Sequence, residues 1–250
     1  HCRRELLDEQ VWGLKVFQLD RDRVALAAQF AATGVLTVPA ILQPEIAQAI
    51  RREMALLPWQ TAFVKDGAPQ RLNMKTLPAQ QRQQLLQQVV ISARSERYQF
   101  CYDTYMLITH YLQKTNPHSV LHHFVEHLCG EPMLQFMREI TGAAQIIKAD
   151  AQASCYLPGH FLKQHDDDGT PSQHERIVAY TIGFSAPWQA HWGGLLNLQN
   201  EAGEVEKSLM PAFNTLTIFS VPRQHFVSQV ASYCPEPRLS IVGWFRSDRN

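Results

Sequence analysis

The segment Tyr156-Leu-Pro-Gly-His-Phe-Leu-Lys-Gln-His165-Asp-Asp167 places an imidazole and a carboxylate two residues apart, at His165 and Asp167. On an extended chain, residues i and i+2 face the same way, so this pair is expected to close on one divalent metal ion. Two ligands hold a metal poorly, and His225, in Val221-Pro-Arg-Gln-His-Phe-Val, is the expected third. Neutral imidazole with carboxylate suits Fe(II), Mn(II) or Zn(II), and a set without Cys is unlike a structural zinc site. Three such ligands occupy one face of an ion and leave its other positions open.

Arg238 and Ser240 lie two apart in Arg238-Leu-Ser-Ile-Val-Gly-Trp-Phe245 and share a strand face. A guanidinium grips a carboxylate through two parallel hydrogen bonds, and a hydroxyl adds a third. The pair is expected to hold a dicarboxylate by its far end, with the phenol of Tyr156 donating to the same group. Asp166 is expected to face away from His165 by strand alternation. A rival motif, His123-Phe-Val-Glu126-His127, matches the H-x-x-E-H pattern of inverted zinc peptidases, with Glu126 as base. No downstream Glu stands out as its third ligand, so it is read as a helix with solvated His and Glu on a polar face. A zinc metallopeptidase and a catalytically silent binding domain remain the alternatives from other classes.

The elements that must position these residues are legible in pattern. The 250 residues balance 23 Lys+Arg against 23 Asp+Glu, which argues against direct nucleic-acid binding. No apolar run is long enough to span a membrane. Five cysteines without a CxxC suggest free thiols, a reducing compartment and a cytoplasmic location. The start is charged and lacks both Met and an apolar leader, and is read as a trimmed or tagged beginning. One catalytic domain, 1–250, is expected. Its front part, 1–142, reads as helix-rich, with helices over 22–33, 44–57, 77–90, 120–129 and 131–141 and short strands at 34–39 and 62–65. From 143 to 247 the pattern turns to short β runs at 149–157, 176–184, 194–198, 215–220, 226–230 and 239–245. That rhythm suggests a β-sandwich or jelly roll. Runs apolar on both faces, as at Leu239 to Trp244, imply a sheet covered by the front helices.

Tyr156 to Asp167, Arg176-Ile-Val-Ala-Tyr-Thr-Ile-Gly-Phe-Ser185, Trp192-Gly-Gly194, Phe213 to Phe219, His225 and Arg238 to Phe245 together resemble the prolyl-hydroxylase branch of the 2-oxoglutarate/Fe(II) dioxygenases. Within it the likeness is to ribosomal prolyl hydroxylases and yeast termination-and-polyadenylation type proteins, in a single-domain, bacterial-type form. The resemblance implies a mainly β fold, a double-stranded β-helix flanked by N-terminal helices. It implies iron ligands at His165, Asp167 and His225 and a 2-oxoglutarate anchor at Arg238, assisted by Tyr156. It implies hydroxylation of a C–H bond using Fe(II), 2-oxoglutarate and O2, with succinate and CO2 released and ascorbate (vitamin C) as reductant. The acceptor implied is a prolyl residue in a protein or peptide, a ribosomal or translation protein among the candidates, with free proline or another small molecule as the alternative. Where some members carry a cosubstrate-binding Tyr, this chain has Gly183, which leaves Arg238, Tyr156, Ser240 and Thr217 to hold the carboxylate. Arg71, Asn73 and Trp192 are the substrate-side candidates.

Overall fold

The computed structural model describes residues 15–168 and 175–248. Asp22 accepts a hydrogen bond from the Ala25 N–H and opens α1 (Arg23–Thr33), which ends on Gly34 in a left-handed conformation. There follow β1 (Val35–Pro39), α2 (Pro44–Met54), the hairpin β2 (Gln60–Lys65) and β3 (Ala68–Leu72), α3 (Ala79–Ala93) and β4 (Phe100–Tyr105). Three helices come next: α4 (Leu107–Leu112), α5 (Val120–Leu128) and α6 (Glu131–Thr141). The rest is strand: β5 (Lys148–Ala149), β6 (Gln152–Tyr156), β7 (Phe161–His165), β8 (Arg176–Gly183), β9 (Leu196–Gln199), β10 (Val205–Leu209), β11 (Thr215–Ser220), β12 (His225–Val227) and β13 (Arg238–Arg246).

The strands run in the order β1-β11-β8-β13-β6-β4-β7-β12-β9-β10, with β2 and β3 extending from β4 and β5 lying on β13. β4 closes the curl. Its Asp103 to Tyr105 stretch pairs with β6, while Phe100 and Cys101 pair with β7. One strand therefore passes between the two layers of a jelly roll, the double-stranded β-helix. Ile182, Leu216, Ile218, Leu239 and Ile241 face the helices and pack with Ile46, Ile50, Phe124, Phe136 and Met137 in one large core. This is the helix-covered sheet that two-sided apolar strands require.

The front half is more β-rich than its pattern suggests. β4 is central to the sheet although Phe-Cys-Tyr-Asp-Thr-Tyr carries no clean alternation, because its two ends are buried against different layers. β3 and β10 leave no strand signature in the sequence because both are exposed, largely polar strands without a buried face. α4 is one short turn-rich helix, below the length at which periodicity is visible.

The front half is tied to the β core by Asn214. Its amide accepts from the Leu42 N–H (2.8 Å) and donates to the Leu42 C=O (2.8 Å), reading both backbone groups of a buried residue. It does so at φ 52°, a left-handed conformation that Asn tolerates better than most residues. Asn214→Ala strands the buried Leu42 N–H, while the Leu42 C=O keeps its bond from Gln18 Nε2 (3.0 Å), and is expected to cost about 2 kcal/mol, or roughly 4–8 °C in thermal midpoint. An unchanged midpoint in calorimetry would rule out this role.

Candidate active site

β7 ends at His165, and the chain then turns. Asp167 has φ 63°, so it does not share an extended face with His165. The convergence expected from strand alternation is reached by a left-handed turn instead, held by Arg176 Nη1 donating to the Asp167 C=O (3.2 Å). β12 brings His225 directly opposite His165 in register. The ring centroids are 4.1 Å apart. Nε2 of His165 lies 3.3 Å from one oxygen of Asp167, and Nε2 of His225 lies 3.5 Å from the other. Ligand-type atoms of the three residues lie within 4.8 Å of one another, the only such group of three among the described residues.

The other ring nitrogens settle what these atoms offer. Nδ1 of His165 lies 3.0 Å from the Lys163 C=O, and Nδ1 of His225 lies 2.7 Å from the Arg223 C=O. A carbonyl only accepts, so each Nδ1 is the protonated nitrogen and each Nε2 presents a lone pair toward Asp167. Burial, then the neighbouring His165, lowers the His225 pKa to about 4, so its ring is neutral at pH 7. Burial pushes the Asp167 carboxyl up, but its polar neighbours His165, His225 and the Trp244 indole N–H outweigh it and hold it below the usual value. Two lone pairs and a carboxylate facing one another are a donor set for a divalent cation. Asp166 spends its carboxylate on the Asp168 N–H and the Gln224 side chain.

The three residues line a cavity of about 640 Å³, walled by Tyr98, Phe100, Tyr102, Phe219 and Trp244. Tyr156 and Arg238 line it too. An adjoining cavity of about 50 Å³ shares Arg238, Thr181 and Leu196 and adds the hydroxyls of Thr37, Thr217 and Ser240. All four residues expected to hold a carboxylate therefore gather at one end. The Arg238 side chain is buried, 5% exposed. Its Nε donates to the Gly194 C=O (2.7 Å), its Nη1 donates to Ser240 Oγ (3.2 Å), and its guanidinium lies 5.0 Å from the Tyr156 ring centroid. No carboxylate pairs with it among the described residues. Burial pulls its pKa down, yet an Arg stays charged. Tyr156 is pushed well above the usual tyrosine value by burial and then by Tyr102, so it stays a neutral donor.

Glycines make this end possible. Gly193 has φ 69°, and a Cβ there would sit 2.0 Å from the Gln229 C=O, so Trp192-Gly-Gly is a turn only glycine fits. A Cβ on Gly183 would sit 2.1 Å from the Ala212 C=O. No tyrosine fits at that position on this backbone, which explains the departure noted there.

Of the substrate-side candidates, Arg71 lines the large cavity. Asn73 instead caps a turn through the Lys75 N–H, and Trp192 packs with Trp188 and the Tyr156 cluster. The H-x-x-E-H helix is α5. His122 and His123 are buried there rather than solvated, because α5 packs among α2, α4 and α6. His123 Nδ1 is 4.0 Å from Glu126, while His127 Nδ1 is bonded to the His123 C=O.

Several residues were not singled out by pattern. Tyr98 packs against His165 with ring centroids 5.4 Å apart and planes tilted by 47°, and Arg176 lies 3.8 Å over the Trp244 ring. The indole N–H of Trp244 has no hydrogen-bond partner at good geometry among the described residues, though it is near enough to Asp167 to favour its charged form. Lys163 donates to the carbonyls of Ala93 (3.2 Å), Ser95 (2.6 Å) and Arg97 (2.9 Å) while its own C=O holds His165. It thus fixes both an imidazole and the loop that carries Tyr98. Aromatic residues in a β-rich chain usually read as core, so only the fold separates these from their neighbours. Cys155 is buried and its thiol is pushed up to about 12, the behaviour of a small apolar residue.

Residues 151–246 match the family model of the 2OG-Fe(II) oxygenase superfamily. The prolyl 3-hydroxylase OGFOD1 of Xenopus laevis is 30% identical over 128 residues, 48% of this chain but only 24% of that relative. Among solved structures, a 2OG-Fe(II) oxygenase family oxidoreductase from Burkholderia pseudomallei superposes with TM-score 0.60 at 15% identity, covering 92% of each chain. A Pseudomonas putida prolyl-4-hydroxylase gives 0.56 at 15% identity, over 95% of this chain and 97% of that one. A Trichoplax adhaerens prolyl hydroxylase in complex with a hypoxia inducible factor oxygen degradation domain peptide gives 0.59 at 13% identity, over 90% and 89%. At those identities the structures speak for the fold. Residues 151–246 thus carry the pattern of the 2OG-Fe(II) oxygenase superfamily, and the proteins that the chain resembles include members of the prolyl-hydroxylase branch.

Proposed function

We propose that this protein is an Fe(II)- and 2-oxoglutarate-dependent dioxygenase that hydroxylates a prolyl residue of a protein or peptide. The observation that carries the reading is the pairing, around one cavity, of a cation-seeking donor set with a buried Arg238 that no carboxylate pairs among the described residues. A buried cation without an anion is costly, so the site is built for an anionic ligand. A ligand with one carboxylate for Arg238 and metal-binding atoms at its other end satisfies both, which is the chemistry of 2-oxoglutarate.

In this reading His165, Asp167 and His225 hold the ion, each His locked in its tautomer by a backbone carbonyl. Arg238 and Ser240 take the distal carboxylate, Tyr156 donates its phenol to it, and Thr217 adds a hydroxyl from the adjoining cavity. Fe(II), 2-oxoglutarate and O2 together supply the oxidising power that puts one oxygen atom into a C–H bond, releasing succinate and CO2. The protein's share is placement and dryness: Tyr98, Phe100, Tyr102 and Trp244 wall the cavity against water. Ascorbate is assigned as the reductant that keeps the iron ferrous. The relatives named prolyl hydroxylases support a prolyl acceptor.

Anaerobic addition of Fe(II) and then 2-oxoglutarate is expected to give the weak visible band of the chelate, followed by slow succinate release in air. His225→Ala should abolish Fe(II) binding. Arg238→Ala should keep the metal but raise the 2-oxoglutarate requirement, roughly tenfold or more for a lost charge-assisted pair. If both variants match wild type, the assignment fails. His123→Ala should leave turnover intact; its loss together with zinc-dependent peptide cleavage would restore the peptidase alternative.

Metal-free protein should also lose stability in acid. An unfolded His takes up its proton near pH 6.5, whereas folded His225 does so only near 4. Between those values the unfolded chain binds more protons, so stability falls as pH drops through that window, by about 3 kcal/mol in all. Urea titrations of chelator-treated protein should show the slope, and His225→Gln should flatten it. Parallel profiles would mean that His225 titrates normally.

A further inference from the structure

β3 is an edge strand. Among the described strands it pairs with β2 alone, through the two-residue turn Asp66-Gly67, both with positive φ. Its register fixes which of its backbone groups are spent. Val64 stands opposite Pro69, and Ala62 opposite Arg71. The Val64 N–H and C=O point away from β3: the N–H donates to Gln99 Oε1 (2.8 Å), and the C=O accepts from Gln99 Nε2 (2.9 Å). Val64 and Pro69 are therefore a pair that exchanges no backbone bonds, and by alternation so are Ala62 and Arg71. The C=O of Pro69 and both the N–H and the C=O of Arg71 then point outward along the free edge. Pro69 has no N–H, so the edge offers one donor and two acceptors.

That edge leads to the site. Pro69 and Arg71 both line the 640 Å³ cavity, with the Arg71 charge near enough to Tyr102 to affect its phenol. Leu72, on the other face of the hairpin, packs with Phe63 and Val89. A row of backbone groups without partners among the described residues, beside a cavity, is a template for an added strand.

We propose that the acceptor is an extended polypeptide segment that adds to the free edge of β3 as a further strand, pairing with the Arg71 backbone and delivering one residue into the cavity. This rests on the dioxygenase reading above and narrows it, because a free amino acid has no run of backbone groups for this edge to hold. The edge recognises main chain, so the flanks of the delivered residue are tolerated widely provided they lie extended.

The test uses end-blocked peptides with one prolyl residue and varied Ser, Thr and Val flanks, read by a mass gain of one oxygen. The chelate band of the wild-type protein is recorded first. Its absence overturns the dioxygenase reading and this proposal together. With the band present, hydroxylated peptides are expected, and N-methylation of their flanking amides should raise KM at every second position, the period of a paired strand. Arg71→Pro removes the outward N–H and should raise KM roughly tenfold beyond Arg71→Ala, which removes only the side chain. Pro69→Ala adds a donor and should lower KM. Circular dichroism and the thermal midpoint check that Arg71→Pro folds; if it does not, the N-methyl series on wild-type protein decides alone. Turnover confined to free proline, an N-methyl penalty without the alternation, or Arg71→Pro no worse than Arg71→Ala would each overturn the docking while leaving the dioxygenase reading in place.

Discussion

Two imidazole lone pairs and a carboxylate are held face to face, and most of the surrounding structure is arranged around that unfavourable gathering. Each imidazole is kept from rotating away by a carbonyl two residues before it, Lys163 for His165 and Arg223 for His225. The carboxylate is delivered by a left-handed turn at Asp167 that Arg176 clamps. β7 and β12 are paired so that the two rings meet in register. A gathering of donors without a proton between them is stable only when a cation joins it or the rest of the fold holds it in place.

The second organising charge is Arg238. It is carried into the core by β13, the strand that pairs with β8, β6 and β5. Its neighbours are a carbonyl, a hydroxyl and an aromatic face, all compatible with a guanidinium and none able to neutralise it. The two charged regions thus differ in sign of need, one wanting a cation and the other an anion, and both line the larger cavity. The aromatic wall between matters because low polarity strengthens both interactions.

β4 and Lys163 connect this site to the front half of the chain. β4 pairs with both layers, so the position of Phe100 and Tyr102 in the cavity wall is set by the closure of the jelly roll itself. Lys163 gathers the carbonyls at the end of α3 and so places Tyr98 over His165. The wall opposite the metal-type residues is therefore built by the segment of least regular sequence pattern.

By itself the sequence determined the residue types and their order: His165, Asp167, His225, then Arg238 and Ser240 on one strand face, among short β runs covered by helices. These are local facts of spacing and period, which the backbone translates directly into direction. Tertiary structure alone decided how they converge. The His-x-Asp pair meets through a positive-φ turn rather than along a strand, because Asp167 leaves β7 before it can alternate. Gly183 marks a strand pressed against the Ala212 carbonyl, a contact between residues far apart in sequence. β4 was invisible because a strand shared by two layers has no single buried face. α5 turned its histidines inward because what lies beside a helix is set by its packing, not by its own pattern. Tyr98, Arg176 and Trp244 acquired meaning only when the curl of the sheet placed them around one cavity.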